Sequence, residues 1–288
     1  MKPFMTLFLV GMALFCASAS AQTQESKSHI SKEFTLSKEA GGSTLAIYNI
    51  AGFIKVEGYS GSKVVLEIEQ TLSAKSGDLL EQAKKEFQLA FDQNADSVIA
   101  YIAEPHDSRP NRNWQDRRTS RRIEYTYELE FTVKVPFALN LHVSTINAGD
   151  VTVKDVSGTI SAHNINGAIR LTNIKGTTTA HTINGNVEAN YLANPPEKSK
   201  YYTLNGDIKI SYPANLSADL SFKSFQGAFY TDFTNTEILP AKVTKTQEKK
   251  GNGTVYTLNK DTSVRIGKGG QTLQFETFNG NVYIKKQS

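Results

Sequence analysis

One short phrase recurs along the second half of this chain: an apolar residue, a polar residue, a glycine and, two positions later, another apolar residue. Clear copies are TINAGDV at 145–151, NINGAI at 164–169, TINGNV at 182–187, TLNGDI at 203–208, SFQGAF at 224–229 and TFNGNV at 277–282. Weaker copies lie between them, DVSGTI at 155–160 and NIKGTT at 173–178. The glycines stand nine and then 21 residues apart at Gly149, Gly158, Gly167, Gly176, Gly185, Gly206 and Gly227, with Gly280 in the last copy. Self-similarity at a fixed period is typical of folds in which each unit stacks on the next.

The residues that follow each glycine alternate between apolar and polar, which is the period of a β-strand. After Gly167, for example, come Ile169 and Leu171, and the polar Arg170 lies between them. The apolar positions are rich in β-branched residues, as packed strands prefer. A further apolar position, seven residues after the glycine, is expected to point inward too, and Leu204 is expected in the same column. This position holds Val156, Ile165, Ile174 and Ile183.

Nine is an odd number, so strict alternation would exchange the two faces of the strand at every repeat unless the turn resets it. Glycine can do this by taking a positive φ, and asparagine tolerates the same region. Asparagines stand directly before four of the glycines, at Asn166, Asn184, Asn205 and Asn279. We therefore expect these glycines and asparagines to be structural turn residues, with the amides hydrogen-bonded along the stacked turns.

Two arrangements of the repeat are compatible with Asn-Gly turns. One is an antiparallel meander, because Asn-Gly between alternating segments is a strong hairpin signal. The other is a stack of parallel coils, in which equivalent positions lie about 4.8 Å apart along the axis. The constant phase of the repeat favours the stack, since hairpins do not require the same residue at the same phase in every unit.

These patterns predict a mainly β fold, a β-solenoid of parallel β-helix-like coils of about 18–21 residues over 139–288. Coils are expected from about Leu139 to Phe233, followed by a polar insertion at about 235–253 and strands that pair near the far end. Residues 22–138 are expected to be a β-rich N-terminal region with a small α/β elaboration, one short helix and an Arg-rich loop. The whole of 22–288 is expected to be one structural domain.

Residues 1–21 have the features of a secretory signal peptide: Lys2, a short apolar stretch, and small residues before a cleavage point after Ala21. Cleavage there would remove Cys16, the only cysteine, so the mature chain would have no thiol chemistry. The remaining sequence has no segment long and apolar enough to span a membrane as a helix. We therefore expect an exported protein of the periplasm, the cell surface or the surrounding medium.

The formal net charge of +4 is unevenly distributed. One window holds six of the eight arginines and the only tryptophan: Arg109, Arg112, Trp114, Arg117, Arg118, Arg121 and Arg122. Guanidinium groups bind phosphate and carboxylate in bidentate fashion, and tryptophan can stack on a sugar ring. This Arg-rich loop is the candidate surface for an anionic glycan, a lipid head group or an envelope protein rather than nucleic acid. The alternative is a solvated connector without a ligand.

The segments INGAI, INGNV and LNGDI, the closing LQFETFNGNV at 273–282 and the VKVP strand at 133–136 resemble the bacterial putative-adhesin family of exported β-repeat proteins. The members of that family share a domain of unknown function. The resemblance extends over about residues 30–285. It implies an NG-turn β-solenoid at the cell envelope with an adhesion-like role. It implies no catalytic residues and no cofactor.

The residues themselves point away from catalysis. No Ser–His–Asp, zinc or phosphate-loop pattern is present. Glycan-cleaving enzymes on β-helix scaffolds need paired carboxylates, but the acids of the coils fall at different phases of the repeat. His163 and His181 share one phase and would lie on adjacent coils, yet no further ligand continues the set, so a side-chain ladder is favoured over a metal site.

We therefore expect a non-enzymatic exported envelope protein, without a cofactor, that presents a rigid solenoid surface for adhesion or ligand binding. Two alternatives remain open. One is a glycan-active enzyme, a lyase or hydrolase, on a β-helix scaffold. The other is an envelope-stress or accessory regulatory factor that acts through protein partners.

Overall fold

The computed structural model describes residues 23–110, 122–250 and 253–287. Their structure is mainly β, with one α-helix, α1 (Gly77–Glu86), and one 3-10 turn (Ala40–Gly42). The strands in the first half of the chain are β1 (Gln24–Thr35), β2 (Thr44–Tyr48), β3 (Ile54–Tyr59), β4 (Lys63–Ala74), β5 (Gln88–Gln93), β6 (Ser97–Glu104), β7 (Tyr125–Pro136) and β8 (Asn140–Ser144).

The strands of the second half include the repeat copies. They are β9 (Val151–Lys154), β10 (Ile160–His163), β11 (Ile169–Ile174), β12 (Thr178–Asn184), β13 (Val187–Tyr191), β14 (Ser199–Asn205), β15 (Ile208–Tyr212), β16 (Ala218–Gln226), β17 (Phe229–Thr231), β18 (Thr236–Lys250), β19 (Gly253–Ile266), β20 (Thr272–Asn279) and β21 (Val282–Lys286). The signal-peptide prediction for 1–21 and the Arg-rich residues Arg112, Trp114, Arg117, Arg118 and Arg121 lie outside the described residues.

Two large sheets contain all of these strands. The first sheet has the order β1-β4-β7-β3-β9-β11-β13-β15-β21-β17, and the second has the order β18-β19-β16-β20-β14-β12-β10-β8-β2-β6-β5. In the repeat region, each strand of the second sheet is followed in the chain by a strand of the first. We call such a pair a rung, and we call the edge where the chain passes from the second sheet to the first the asparagine edge.

Neighbouring rungs pair in parallel. Ile169 lies beside Val187 in the first sheet, and Ile160 lies beside Thr178 in the second. Each Asn-Gly segment therefore connects the two sheets and does not join two adjacent antiparallel strands. The meander alternative does not describe this pairing.

The order of rungs in space departs from their order in the chain. The last rung, β20–β21, lies between β14–β15 and β16–β17, because Val282 pairs with Ile208 on one side and with Phe229 on the other. The chain leaves the stack after β15, forms the rung β16–β17 one position farther out, and later returns with β20–β21 to fill the gap. The C-terminal strands thus pair with the sheets near the far end, one rung inside β16–β17.

Different elements close the two ends of the stack. At the N-terminal end, the rung β6–β7 lies beside β2–β3, and β4, β1 and β5 continue the sheets in antiparallel pairing. Helix α1 begins after Ser76, whose side chain accepts a hydrogen bond from the backbone of Leu79, and it packs Leu80 and Ala83 against Tyr125. At the other end, β16 pairs with β19 of the β18–β19 hairpin. This hairpin contains the segment expected as a polar insertion.

The core lies between the two sheets and consists of columns of buried side chains. One column in the first sheet contains Ile169, Val187, Ile208 and Val282, none more than 2% exposed. A cluster of fully buried tyrosines fills one part of the interior, where the Tyr191 hydroxyl lies 2.5 Å from that of Tyr201. Hydrogen bonds among these hydroxyls satisfy groups whose burial would otherwise cost free energy.

The inner column predicted seven residues after each glycine is only half correct. Val156 and Ile174 are fully buried, but Ile165, Ile183 and Leu204 point away from the core. The inner position of those three rungs is taken by the preceding residue, Asn164, Thr182 or Thr203. The reason is a hydrogen bond that only a polar side chain can make at this edge.

Candidate binding surface

Six of the repeat glycines form a column along the asparagine edge: Gly149, Gly167, Gly185, Gly206, Gly280 and Gly227. Gly158 and Gly176 lie on the opposite edge. A Cβ on Gly185 would overlap the carbonyl oxygen of Gly167, and a Cβ on Gly206 would overlap that of Gly185. The column continues through Gly280, which meets Gly206, to Gly227, which meets Gly280. Glycine is needed here because two backbones approach closely, and there is no space for a side chain.

The conformational reason that the sequence suggested for these glycines was wrong. Of the eight repeat glycines, only Gly280 has a φ in the positive range, at 154°. In the nine-residue part of the repeat, Ala148 (φ 60°), directly before Gly149, is left-handed. So are Asp155 (φ 58°) and Asn173 (φ 57°), which stand three residues before Gly158 and Gly176 on the opposite edge. The side chains of Asp155 and Asn173 hydrogen-bond to each other, and Asp and Asn tolerate this conformation better than other residues.

Polar side chains inside the asparagine edge hold each rung to the next. The Thr182 hydroxyl donates to the carbonyl of Gly167 at 2.8 Å, and that of Thr203 donates to Gly185 at 2.7 Å. Thr277 does the same to Gly206 at 3.1 Å, and the Asn164 amide reaches Gly149 at 2.9 Å. These bonds satisfy carbonyls that are enclosed beneath the turns, and they force the next residue of each rung to face outward.

The asparagines of the Asn-Gly turns form a ladder on the surface of the same edge. Asn166 donates to Asn147 at 2.8 Å, Asn184 to Asn166 at 2.8 Å, Asn205 to Asn184 at 2.9 Å and Asn279 to Asn205 at 2.9 Å. We call these five residues the amide ladder. Each is exposed to solvent.

An apolar residue precedes the amide in every one of these rungs and lies on the outer face of the second sheet. We call this set the apolar stripe; it consists of Ile146, Ile165, Ile183, Leu204, Phe278 and Phe225. Phe225 is 72% exposed and Phe278 44%, and their rings stack with centroids 4.7 Å apart. Every rung from β8 to β16 thus presents one apolar side chain next to one carboxamide, the last being Gln226.

A second column runs beside the stripe, two residues earlier in each strand. It contains Ser144, His163, His181, Tyr202, Glu276 and Lys223, paired in register across the sheet. The rings of His163 and His181 lie 5.9 Å apart, and those of His181 and Tyr202 lie 4.4 Å apart. Glu276 and Lys223 form an ion pair of 2.6 Å. We call this set the histidine column.

The imidazoles of this face are held neutral. Burial, together with the smaller effects of neighbouring His142 and His181, lowers the pKa of His163 to about 4. Burial also lowers the pKa of His181 and of His142, whose ring lies 5.5 Å from that of His163. At neutral pH the ion pair therefore carries the only charges of the stripe and the histidine column.

The sequence pattern of the stripe was visible in the repeat, but Ile165, Ile183 and Leu204 were predicted to point inward. In the main copies, the residue before Asn or Gln is apolar, and the residue before that is Asn, Thr or Ser. Alternation puts one of the two inside and the other outside. Hydrophobicity favoured the apolar residue as the inner one, but the glycine carbonyl beneath the turn requires the polar one.

The Arg-rich segment lies between β6 and β7 in the chain, and of its arginines only Arg109 and Arg122 are among the described residues. Arg109, its first arginine, stacks on the ring of Tyr101 at 3.7 Å and pairs with Asp107 at 2.7 Å and Asp92 at 3.0 Å. Two carboxylates thus compensate its charge. Arg122, at the other end, lines a surface cavity of about 490 Å³ with Lys75.

Neither a metal centre nor a membrane helix is part of the described region. Over 23–110, 122–250 and 253–287, no group of three or more His, Cys, Asp or Glu side chains is placed to hold a metal ion. In the same part of the chain, no helix has the length and apolar character needed to cross a bilayer.

No protein-family model matches the sequence, and no curated protein matches it. Among solved structures, a putative cell adhesion protein from Clostridium sporogenes is 11% identical with a TM-score of 0.38, over 92% of this chain and 100% of that chain. A putative adhesin from Bacteroides fragilis is 12% identical with a TM-score of 0.38, over 91% and 98%. A putative lipid binding protein from Parabacteroides distasonis is 9% identical with a TM-score of 0.22, over 90% and 97%. Likenesses this distant carry no functional argument.

Proposed function

We propose that this chain is an exported, non-enzymatic β-solenoid protein that binds a partner of the cell envelope or cell surface through the outer face of its second sheet. Rungs that pair in parallel, with equivalent asparagines 18 and 21 residues apart, support the solenoid description. The character of residues 1–21 supports export.

The observation that carries the binding role is the apolar stripe. Soluble proteins rarely leave a continuous apolar surface facing water unless it meets a partner. The stripe does not contribute to the core, because Thr182 and its equivalents occupy the inner positions of the same rungs. Its most exposed members, Phe225 and Phe278, are large aromatic side chains of the kind that dominate binding surfaces.

The acids of the rungs support a non-enzymatic role. Asp150 forms an ion pair with Arg170, and Asp207 accepts a hydrogen bond of 2.9 Å from the backbone of Asn281. Asp155 accepts one of 2.8 Å from Asn173. These carboxylates stabilise neighbouring rungs, and they do not form the facing pair that glycoside cleavage needs.

A binding assay with envelope material tests the proposal. The mature chain is mixed with insoluble bacterial envelope fractions and the bound share is measured by sedimentation. The double variant F225S/F278S, which replaces both aromatic residues, should bind the envelope fraction with an affinity about tenfold lower or more. The matched control is L192S, because Leu192 is 52% exposed but lies away from the stripe.

Two results would contradict the proposal. If the double variant binds the envelope fraction as well as the wild type, the outer face of the second sheet is not the binding surface. The full-length chain is also expressed in a bacterial host, and the protein is analysed by mass spectrometry. If the protein is found in the cytoplasmic fraction with residues 1–21 still attached, it is not exported. A regulatory factor would instead bind one isolated envelope protein and none of the glycan or lipid material.

A further inference from the structure

We propose that the partner of this surface is a linear, uncharged polysaccharide that lies along the apolar stripe, parallel to the stacking direction of the rungs. This inference rests on the proposed binding role of the same surface and adds the chemical class of the ligand. Three properties of the surface carry it: its shape, its alternation of apolar and amide groups, and its lack of net charge.

The stripe is long and narrow, with one residue from each of six neighbouring rungs. Rungs lie about 4.8 Å apart, so six of them extend over about 24 Å. The width at each rung is one apolar side chain and one amide. A globular protein partner or a bilayer would cover a broad patch, typically about 800 Å² per partner in protein complexes. An extended polysaccharide, such as a β-1,4-linked chain, is itself long and narrow, and each sugar advances the chain by a distance similar to one rung.

The chemistry of each rung suits a sugar. A pyranose has apolar C–H faces and a rim of hydroxyl groups, so it needs an apolar contact and a hydrogen-bonding group side by side. Ile183 and Asn184 offer this pair in one rung, and Leu204 and Asn205 offer it in the next. The aromatic rings of Phe278 and Phe225 provide the largest apolar surface at one end of the stripe.

The amide ladder keeps hydrogen-bonding capacity for such a ligand. A carboxamide has two N–H donors and an oxygen with two lone pairs. Asn184 uses one donor toward Asn166 and accepts one bond from Asn205. One N–H and one lone pair remain at each inner amide of the ladder. A hydroxyl both donates and accepts, so it matches this remainder at every rung.

The absence of net charge selects against anionic ligands. Lys223 and Glu276 pair with each other, and burial keeps His163 in its neutral form down to about pH 4. A sulfate, phosphate or carboxylate group placed over the stripe would lose hydration without meeting an opposite charge there. This differs from the anionic ligand that the Arg-rich sequence suggested.

Calorimetric titration of the mature chain with defined oligosaccharides tests the inference. The probes are cello-, laminari-, manno- and N-acetylated chito-oligosaccharides, each from dimer to octamer. We expect at least one series to bind, with affinity that rises with chain length until the oligomer covers the six rungs. F225S/F278S should weaken that binding about tenfold, L192S should not change it, and added salt should have little effect.

The remaining outcomes separate this inference from the proposed function. If no neutral series binds, while chondroitin sulfate or phosphatidylglycerol vesicles do, the ligand class is wrong. If F225S/F278S still lowers binding to envelope fractions in that case, the proposed surface is upheld and only the ligand class is overturned. Binding that does not depend on oligomer length would also overturn the inference, because a ladder of equivalent sites requires such dependence.

Discussion

Asn205 and Asn279 are 74 residues apart in the chain, yet the amide of Asn279 donates a hydrogen bond of 2.9 Å to the side-chain oxygen of Asn205. Asn279 belongs to the rung β20–β21, which consists of the last two strands of the chain but lies inside the stack. The strands β16 and β17 therefore pair with the repeat region only through β20 and β21.

This placement predicts the effect of a C-terminal truncation. Deleting 254–288 removes an internal rung and nearly all of β19. Strands β14 and β16 then lose the strand between them, as do β15 and β17, so these four strands are left with unpaired edges. We expect aggregation or loss of a single cooperative unfolding transition, measured by light scattering and thermal melts. Deleting only 244–259, where β18 and β19 pair with each other alone, should leave the melting temperature almost unchanged. Equal behaviour of the two deletions would contradict this rung order.

The glycine column predicts a large difference between two glycine substitutions. Gly185→Ala places a methyl group against the carbonyl of Gly167, and overpacking of this kind costs about 1–3 kcal/mol. Gly41→Ala is the control, because a Cβ there meets no atom within 4 Å and restricts the unfolded chain. Urea denaturation should show a clear loss for the first and none for the second. Similar values would mean that the turns can separate at little cost.

The two classes of isoleucine in the repeat predict opposite tolerance to charge. Ile174 is fully buried, so Ile174→Asp should cost about 3–5 kcal/mol, as an uncompensated buried charge does. Ile183 lies on the outer face of the second sheet and is only partly buried, so Ile183→Asp should cost much less, about 1 kcal/mol. Urea unfolding of both variants checks the prediction. If Ile183→Asp lowered the free energy of unfolding as much as Ile174→Asp, the assignment of Ile183 to the outer face would be wrong.

The amide ladder predicts graded effects of alanine substitution. Asn184 takes part in two ladder bonds and Asn147 in one. Because these amides are exposed and water can replace their partners, we expect losses of about 1 kcal/mol for Asn184→Ala and about 0.5 kcal/mol for Asn147→Ala. Unfolding curves of both variants and of the double variant measure this. Equal losses would show that the ladder bonds do not contribute separately.

Two histidines predict opposite dependence of stability on pH. The folded-state pKa of His163 lies near 4, below the unfolded value, so its contribution is complete above about pH 6.5 and is lost as pH falls toward 4. His29 hydrogen-bonds to Glu69 and Glu67, each at 2.7 Å, which raises its pKa. Its contribution is therefore present at low pH and is lost as pH rises through the folded-state pKa.

Melting temperatures at several pH values test this pair. His163→Gln should reduce the loss of stability between pH 6.5 and 4 relative to the wild type. His29→Gln should have the opposite effect on the slope, and a smaller one because His29 is exposed. If His163→Gln leaves the acid slope unchanged, the imidazole is not kept neutral by burial.

The repeat phase predicted the mainly β character and the regular strands, since alternation after each glycine reports directly which side chains can face a core. It also marked the turn residues, because a backbone that stacks closely on itself excludes every side chain. The sequence did not reveal which of two adjacent residues points inward on the asparagine edge. Hydrophobicity alone favoured Ile183, whereas the enclosed carbonyl of Gly167 selects Thr182.

Local sequence determined the length of each strand, the position of each turn and the chemistry of each rung, because these depend on residues close together in the chain. Only the tertiary structure decided that β20–β21 fits between β14–β15 and β16–β17, and that six apolar side chains align on one outer face. Both depend on pairing between strands of nearly equivalent sequence. Any Asn-Gly rung can pair with any other, so the choice among them is made by the complete stack and its two ends.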